Sequence, residues 1–328
     1  MPVTVRSFAK INLGLYIGPL RPDGFHELRT VYQTVALHDI VRVQVSRGSG
    51  IEIRCADPRV PTDASNTCYR IVERAMAALK ARGRVVIDIE KRLPVQGGLG
   101  GASGNAVATL LALETALKKR LPASEQLRIA AEVGSDLPLF LIGGTVLGVG
   151  RGEEVYPMPN FPATPCVIAT PEIGVSTPQA FADWDALLRQ NASKLTASAP
   201  SDRMKELGRV LSAWLSGSQR FISGVPAGGR VRAETPLLDL VHTGIENDFE
   251  RVVFPKYPEL GEAKRVLERT GAFYASLSGS GSAIYGLFRN PAAAKRAAGK
   301  IKKSGLPAIA TTTLTGPQYR KKFLVSAF

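Results

Sequence analysis

The chain has 328 residues, 45% of them hydrophobic and 21% charged, which excludes a disordered polypeptide and leaves room for two compact units. A formal charge of +14 suits either a nucleic-acid binder or an enzyme with polyanionic substrates such as nucleotides. The basic residues are dispersed, and the tail cluster Lys300, Lys302 and Lys303 has no interleaved aromatic rings, so a nucleic-acid partner is not expected.

The opening segment alternates, with Ile11, Leu13, Leu15 and Ile17 on one face and Lys10, Asn12 and Tyr16 on the other. This predicts a half-buried strand. It begins without a basic stretch leading into an apolar one, so export is not expected. Pro22, Asp23 and Gly24 supply turn chemistry ahead of Phe25 and His26, and strand-like runs follow at IVRVQV and IEIR. Val72, Ala75, Met76 and Leu79 then repeat at helical spacing as far as Gly83. After the strand-like RVVIDIEKRL comes LPVQGGLGGASGNAVATLLALETALKKR, a glycine-rich loop opening onto a helix with Ala106, Leu110, Leu113 and Leu117 inward. Lys118, Lys119 and Arg120 suit that helix's negative end.

The apolar run LPLFLIGGTVLGVG is too short and too glycine-broken to span a membrane. Residues 143–165, rich in Gly and Pro, are the expected boundary between a unit at 1–160 and a second at 161–328. The second starts at CVIAT and carries a surface insertion at about 190–232 with one amphipathic patch, MKELGRVLSAWL. Beyond it, PELGEAKRVLERTGA predicts a helix and FYASLSGSGSAIYGLF two strands about a Ser-Gly turn; a basic helix and the strand IATTTL close the pattern. Mixed but not strictly alternating elements favour an α+β sandwich. The odd, widely spaced Cys55, Cys68 and Cys166 are expected to be reduced and buried.

In the loop, Gly97, Gly98, Gly100 and Gly101 would let the backbone take positive φ, so that consecutive N–H groups and the following helix end cradle phosphate oxygens. No Gly-Lys-Ser/Thr follows, and Ser103 stands where the dinucleotide fingerprint needs its third glycine. LPVQGGLGGASGNA instead resembles the phosphate loop of the galactokinase, homoserine kinase and mevalonate kinase (GHMP) superfamily, in the form used by its diphosphocytidyl-methylerythritol kinases. Gln96 and Ala102 replace common glycines, and Gly104 replaces a second serine, leaving Ser103 as the loop's hydroxyl for a phosphate or Mg2+. AKINL, RPDGFH with the trailing Leu37-x-Asp39, VGSDLPLFLIGGTVLGVGRGE and SLSGSGSAIYGLF resemble the other segments of that family, in order.

The resemblance implies a two-domain α+β fold, with a ribosomal-protein-like N-terminal unit that binds ATP and a ferredoxin-like C-terminal unit on the substrate side. It implies a cytoplasmic enzyme that uses ATP and Mg2+ to phosphorylate the 2-hydroxyl of 4-diphosphocytidyl-2-C-methyl-D-erythritol. In this pattern Asp136 accepts the hydroxyl proton, Lys10 holds that hydroxyl and offsets growing charge, and Asn12 contacts the substrate. Phe25 and Phe181 flank the cytosine, His26 reads its edge, and Thr177 lies near the substrate. Asn66 and Lys91 line the adenine side, followed by Pro94, Gly97, Gly98, Leu99, Gly100, Gly101, Ala102 and Ser103 around the phosphates. The rivals are a homoserine- or mevalonate-type kinase, which has no cytosine to clamp, and a catalytically dead nucleotide-binding relative.

Overall fold

The computed structural model describes residues 2–191, 204–205, 207–209, 212 and 245–326. The 190–232 insertion therefore lies mostly outside the described residues. Two long antiparallel strands, β1 (Val3–Leu20) and β2 (His26–Ser46), turn around Gly24, whose φ of 82° needs no side chain to be strained. β2 also pairs with β4 (Arg84–Glu90) and β5 (Thr145–Val149), while β3 (Ile51–Cys55) lies parallel to β4. β6 (Glu154–Pro157) and β11 (Leu324–Ser326) complete a seven-stranded sheet. A second, antiparallel sheet has the order β10-β7-β9-β8, from β7 (Pro165–Ala169), β8 (Tyr274–Leu277), β9 (Ile284–Leu287) and β10 (Ala308–Thr312).

Three apolar clusters give the layers. Helices α1 (Thr67–Ala78) and α2 (Gly101–Leu117) pack on one face of the first sheet through Ile71, Leu110, Val41 and Ile87. The two sheets meet through Ile11, Leu13, Ile168 and Tyr285. Val167 and Ala169 alternate with these onto the far face of the second sheet. Among the described residues, that face is covered by α5 (Thr177–Asn191), α6 (Glu250–Lys256), α7 (Pro258–Arg269) and α8 (Pro291–Lys303). Between these groups in the chain run α3 (Ala123–Val133) and α4 (Leu137–Ile142), and α9 (Gly316–Phe323) leads into β11. This is the mixed α/β fold with two sheets that the residue pattern favoured.

Four expectations need correction. β1 is buried on both faces, with Lys10 3%, Asn12 1% and Tyr16 9% exposed, because the glycine loop, the turn after β8 and the cap of α4 close over Lys10 and Asn12 on what would otherwise be its solvent side. Its four alternating apolar residues also divide: Ile11 and Leu13 enter the inter-sheet core, Leu15 and Ile17 the second-sheet core. A register shift between Asn12 and Gly14 re-phases the strand there. α1 stops at Ala78, short of Gly83, because Lys80 already takes a left-handed φ of 46°. All three cysteines are free, but Cys55 is half-buried, since β3 pairs with β4 at the edge of the sheet order.

Candidate active site

The glycine loop joins β4 to α2 by a rhythm of left-handed residues: Gln96 (φ 59°), Gly98 (71°) and Gly100 (69°). Left-handed residues at every second position are the kind of backbone that can turn N–H groups toward one concavity, here just before the positive end of α2. Gly97 and Gly101, expected to share this role, do not have positive φ, and Gln96 does. Close approach explains other glycines. A Cβ on Gly98 would lie 2.1 Å from the Ser278 carbonyl oxygen, and one on Gly100 2.9 Å from both Lys10 Cγ and Phe140 Cζ. Ser278 Oγ donates to the Gly98 carbonyl at 2.9 Å and Ala283 N to that of Gly97 at 3.1 Å, so the Ser-Gly turn after β8 buttresses the loop. A side chain at Gly104 would meet Phe8 O and Ser7 Oγ, each 2.9 Å from the added Cβ. Strand β1 thus occupies the space where the family pattern has a second serine.

Two cavities flank the loop, and Gly98, Gly100 and Ser103 line both. The smaller, about 350 Å³, also touches Asn66, Lys91, Pro94, Gly97, Leu99, Gly101 and Ala102. Neither polar residue is loosely solvated. Asn66 is 8% exposed and caps α1, accepting from Cys68 N at 2.8 Å. Lys91 Nζ donates to Asp39 Oδ2 at 2.6 Å. Fully buried Asp39 also accepts from Arg92 N, Leu93 N and Asn105 Nδ2.

The larger cavity, about 750 Å³, holds Lys10, Asn12 and Asp136 next to the loop, and Phe25, His26, Thr177 and Phe181 also line it. Lys10 Nζ donates to Asn12 Oδ1 at 2.7 Å and stands 3.5 Å from Asp136 Oδ2; its backbone N–H donates to Leu99 O at 2.9 Å. Asp136 sits at the N-terminal cap of α4, its side chain 35% exposed. Its other oxygen accepts from Tyr32 Oη at 3.0 Å. Burial, reinforced by the charge of Asp136, pushes the Tyr32 phenol well above its ordinary pKa, so it remains a donor. Thr177 Oγ1 and Ser280 Oγ are 2.7 Å apart, tying the start of α5 to the Ser-Gly turn.

At the other end, Phe25 is 52% exposed, with the Arg151 guanidinium 4.9 Å from its ring centroid. His26 lies parallel to Phe181, centroids 5.3 Å apart. Its Nδ1 is 3.0 Å from Gly18 O and its Nε2 3.2 Å from Asp185 Oδ1.

Family models agree with this arrangement: "GHMP kinases N terminal domain" matches residues 66–144 and "GHMP kinases C terminal" residues 234–306. A 4-diphosphocytidyl-2-C-methyl-D-erythritol kinase of Solibacter usitatus is 38% identical over 89% of this chain and 83% of its own length. Those of Acaryochloris marina and Synechococcus elongatus are 35% and 33% identical, over 87% and 92% of this chain and 86% and 91% of theirs. The chain belongs to the 4-diphosphocytidyl-2-C-methyl-D-erythritol kinase family. A crystal structure of a 4-(cytidine 5'-diphospho)-2C-methyl-D-erythritol kinase superposes on it with a TM-score of 0.70 at 28% identity, covering 94% of this chain and 98% of the other. A homoserine kinase of Cytophaga hutchinsonii, at 21% identity and TM-score 0.69 over 96% of this chain and 95% of its own, shares the fold.

Residue patterns overlooked three side chains of the kinase. Tyr32 reads as an ordinary strand tyrosine until β2 brings it to Asp136. Asp39 belongs to the Leu37-x-Asp39 segment already singled out, but a sequence carries no sign that it holds Lys91. Asp185 follows Phe181 by one helical turn, a spacing that the motif at 171–181 stops short of.

Proposed function

We propose that this kinase transfers the γ-phosphoryl group of ATP to the 2-hydroxyl of 4-diphosphocytidyl-2-C-methyl-D-erythritol, in the non-mevalonate route to isoprenoids and in the cytoplasm. The strongest support is the Lys10 and Asp136 pair, 3.5 Å apart, in a cavity that shares Gly98, Gly100 and Ser103 with a second one. ATP would occupy the smaller cavity, its triphosphate against the loop N–H groups, and the acceptor the larger. The acceptor oxygen attacks the γ-phosphorus, the bond from that phosphorus to the bridging oxygen breaks, and ADP leaves. Asp136 takes the hydroxyl proton; Lys10, anchored by Asn12, faces the charge on the transferred group. A carboxylate is a weak base for an alcohol, but in a largely dissociative transfer the proton leaves late, so positioning carries most of the effect. Tyr32 holds Asp136 by its second oxygen and so fixes which oxygen receives the proton.

The Ser103 hydroxyl, which lines both cavities beside the loop, is a hard oxygen donor that suits Mg2+, with the nucleotide phosphates supplying further oxygens. Bound with the nucleotide, that ion would neutralise phosphate charge. Phe25, His26 and Phe181 would form the cytidine end, Thr177 would lie near the substrate beside the Ser-Gly turn, and three free thiols are in keeping with a reducing compartment.

The deciding assay measures ADP release with the cytidine substrate, homoserine and mevalonate compared side by side. Release with the cytidine compound at a kcat/KM at least a hundredfold above the other two is the expected result. Comparable or faster release with homoserine or mevalonate would overturn the substrate, and no release with any of the three would overturn the catalytic reading.

A further inference from the structure

We infer that Asp185 determines which pyrimidine the kinase accepts, its carboxylate taking a hydrogen bond from the exocyclic amino group of cytosine; the inference rests on the cytidine substrate proposed above. Asp185 stands four residues after Phe181 on α5, so the two side chains leave the same helical face. Both line the larger cavity together with Phe25. His26, beside them, is 7% exposed; one face of its ring lies against Phe181 and its two nitrogens face Gly18 O and Asp185 Oδ1. The imidazole edge is thus engaged within the protein. Asp185 differs: its side chain is 34% exposed, and among the described residues its one polar partner is His26, at Oδ1. The second oxygen is left to face a ligand.

An ionised carboxylate accepts hydrogen bonds and cannot donate them. Cytosine presents an amino donor at C4, whereas uracil presents a carbonyl oxygen there, which a carboxylate would repel; the pairing of acidic side chains with the cytosine amino group follows the same logic in nucleic-acid grooves. His26 then acts as a positioning residue, its ring edge beside Oδ1 leaving Oδ2 to the base. The contact selects by repelling the wrong base as well as by attracting the right one.

The test uses calorimetric titration of the full chain with CDP and UDP, in parallel with the kinase assay on the cytidine and uridine forms of the substrate. Two variants separate base reading from support of His26. Asp185→Asn keeps the shape of the side chain but replaces a carboxylate, which can only accept, by an amide that also carries a donor, so the position no longer repels the uracil carbonyl. We expect the CDP over UDP preference of the wild type to fall at least tenfold in this variant, and in Asp185→Ala to approach one, with ATP KM unchanged in both. A preference within twofold of wild type in both variants overturns the inference, as does a wild type that binds the two nucleotides equally. A wild type that prefers CDP, loses the preference in the variants and yet phosphorylates neither form would sustain this inference while the proposed reaction falls.

Discussion

Lys10 would be an exposed strand lysine on most β-hairpins, yet here its ammonium is held by Asn12 Oδ1 at 2.7 Å and faces Asp136 at 3.5 Å. A buried cation next to a partly open carboxylate is an arrangement that evolution has little structural reason to keep, because a buried ion pair rarely gains net stability over an apolar one. Its proposed use is chemical. Replacing Asp136 by Asn preserves shape and the Tyr32 hydrogen bond but removes the proton acceptor, and kcat is expected to fall by about a hundredfold or more. Calorimetry should find both substrates bound almost as before. Turnover within tenfold of wild type would remove Asp136 from the reaction.

The glycine loop shows how an element's packing dictates its composition. Gly104 sits at the first turn of α2, where Phe8 O and Ser7 Oγ leave 2.9 Å for a Cβ. Gly104→Ser, which restores the family's second hydroxyl, should therefore lower stability by about 1–3 kcal/mol through overpacking. Thermal or urea unfolding measures it, and Ser7→Gly in the same chain should recover part of the loss. An unchanged unfolding midpoint in Gly104→Ser would mean that β1 yields freely. A second element-scale test concerns Asp39, whose buried carboxylate collects Lys91 and the backbone N–H groups of Arg92 and Leu93 at the exit of β4. Asp39→Ala strands Lys91 and two amides. It should cost about 3–5 kcal/mol, the size expected when one partner of a buried network is removed. Raised ATP KM in the folded fraction, with the cytidine KM steady, would place the damage on the loop side of the site.

At the scale of the molecule, the site lies where two sheets and their covering helices converge. β1 supplies Lys10 and Asn12, the loop before α2 supplies the proposed phosphate cradle, and α4 supplies Asp136 at its cap. The second sheet contributes the Ser-Gly turn between β8 and β9, locked to the loop by Ser278 and Ala283. Because the two cavities share the loop and diverge from it, the ligands should respond separately to substitution. Phe25→Ala and Phe181→Ala are each expected to weaken cytidine substrate binding by about 1–3 kcal/mol, the range of one base stack. ATP affinity should stay within about twofold. Unchanged cytidine binding in both variants would put the base elsewhere, and an equal loss for ATP would mean that the two cavities are coupled.

The residue pattern by itself determined much. Alternation in β1, helical spacing in α1 and α2, and the turn chemistry at Pro22 to Gly24 mark the main elements, because backbone period and φ preference are local properties. The motifs AKINL, RPDGFH and the glycine loop likewise identified the family, and the phosphate-cradling role proposed for the loop rests on glycine's freedom at Gly98 and Gly100. Tertiary structure decided what depends on residues distant in the chain. It buries Lys10, re-phases β1 at the Asn12/Gly14 shift, sets Tyr32 against Asp136 across 104 positions, and forbids a side chain at Gly104 because Phe8 lies there. The pairing of His26 with Asp185 is of the same kind. A strand carries one, a helix the other, and nothing in either segment's own periodicity states that their side chains will meet.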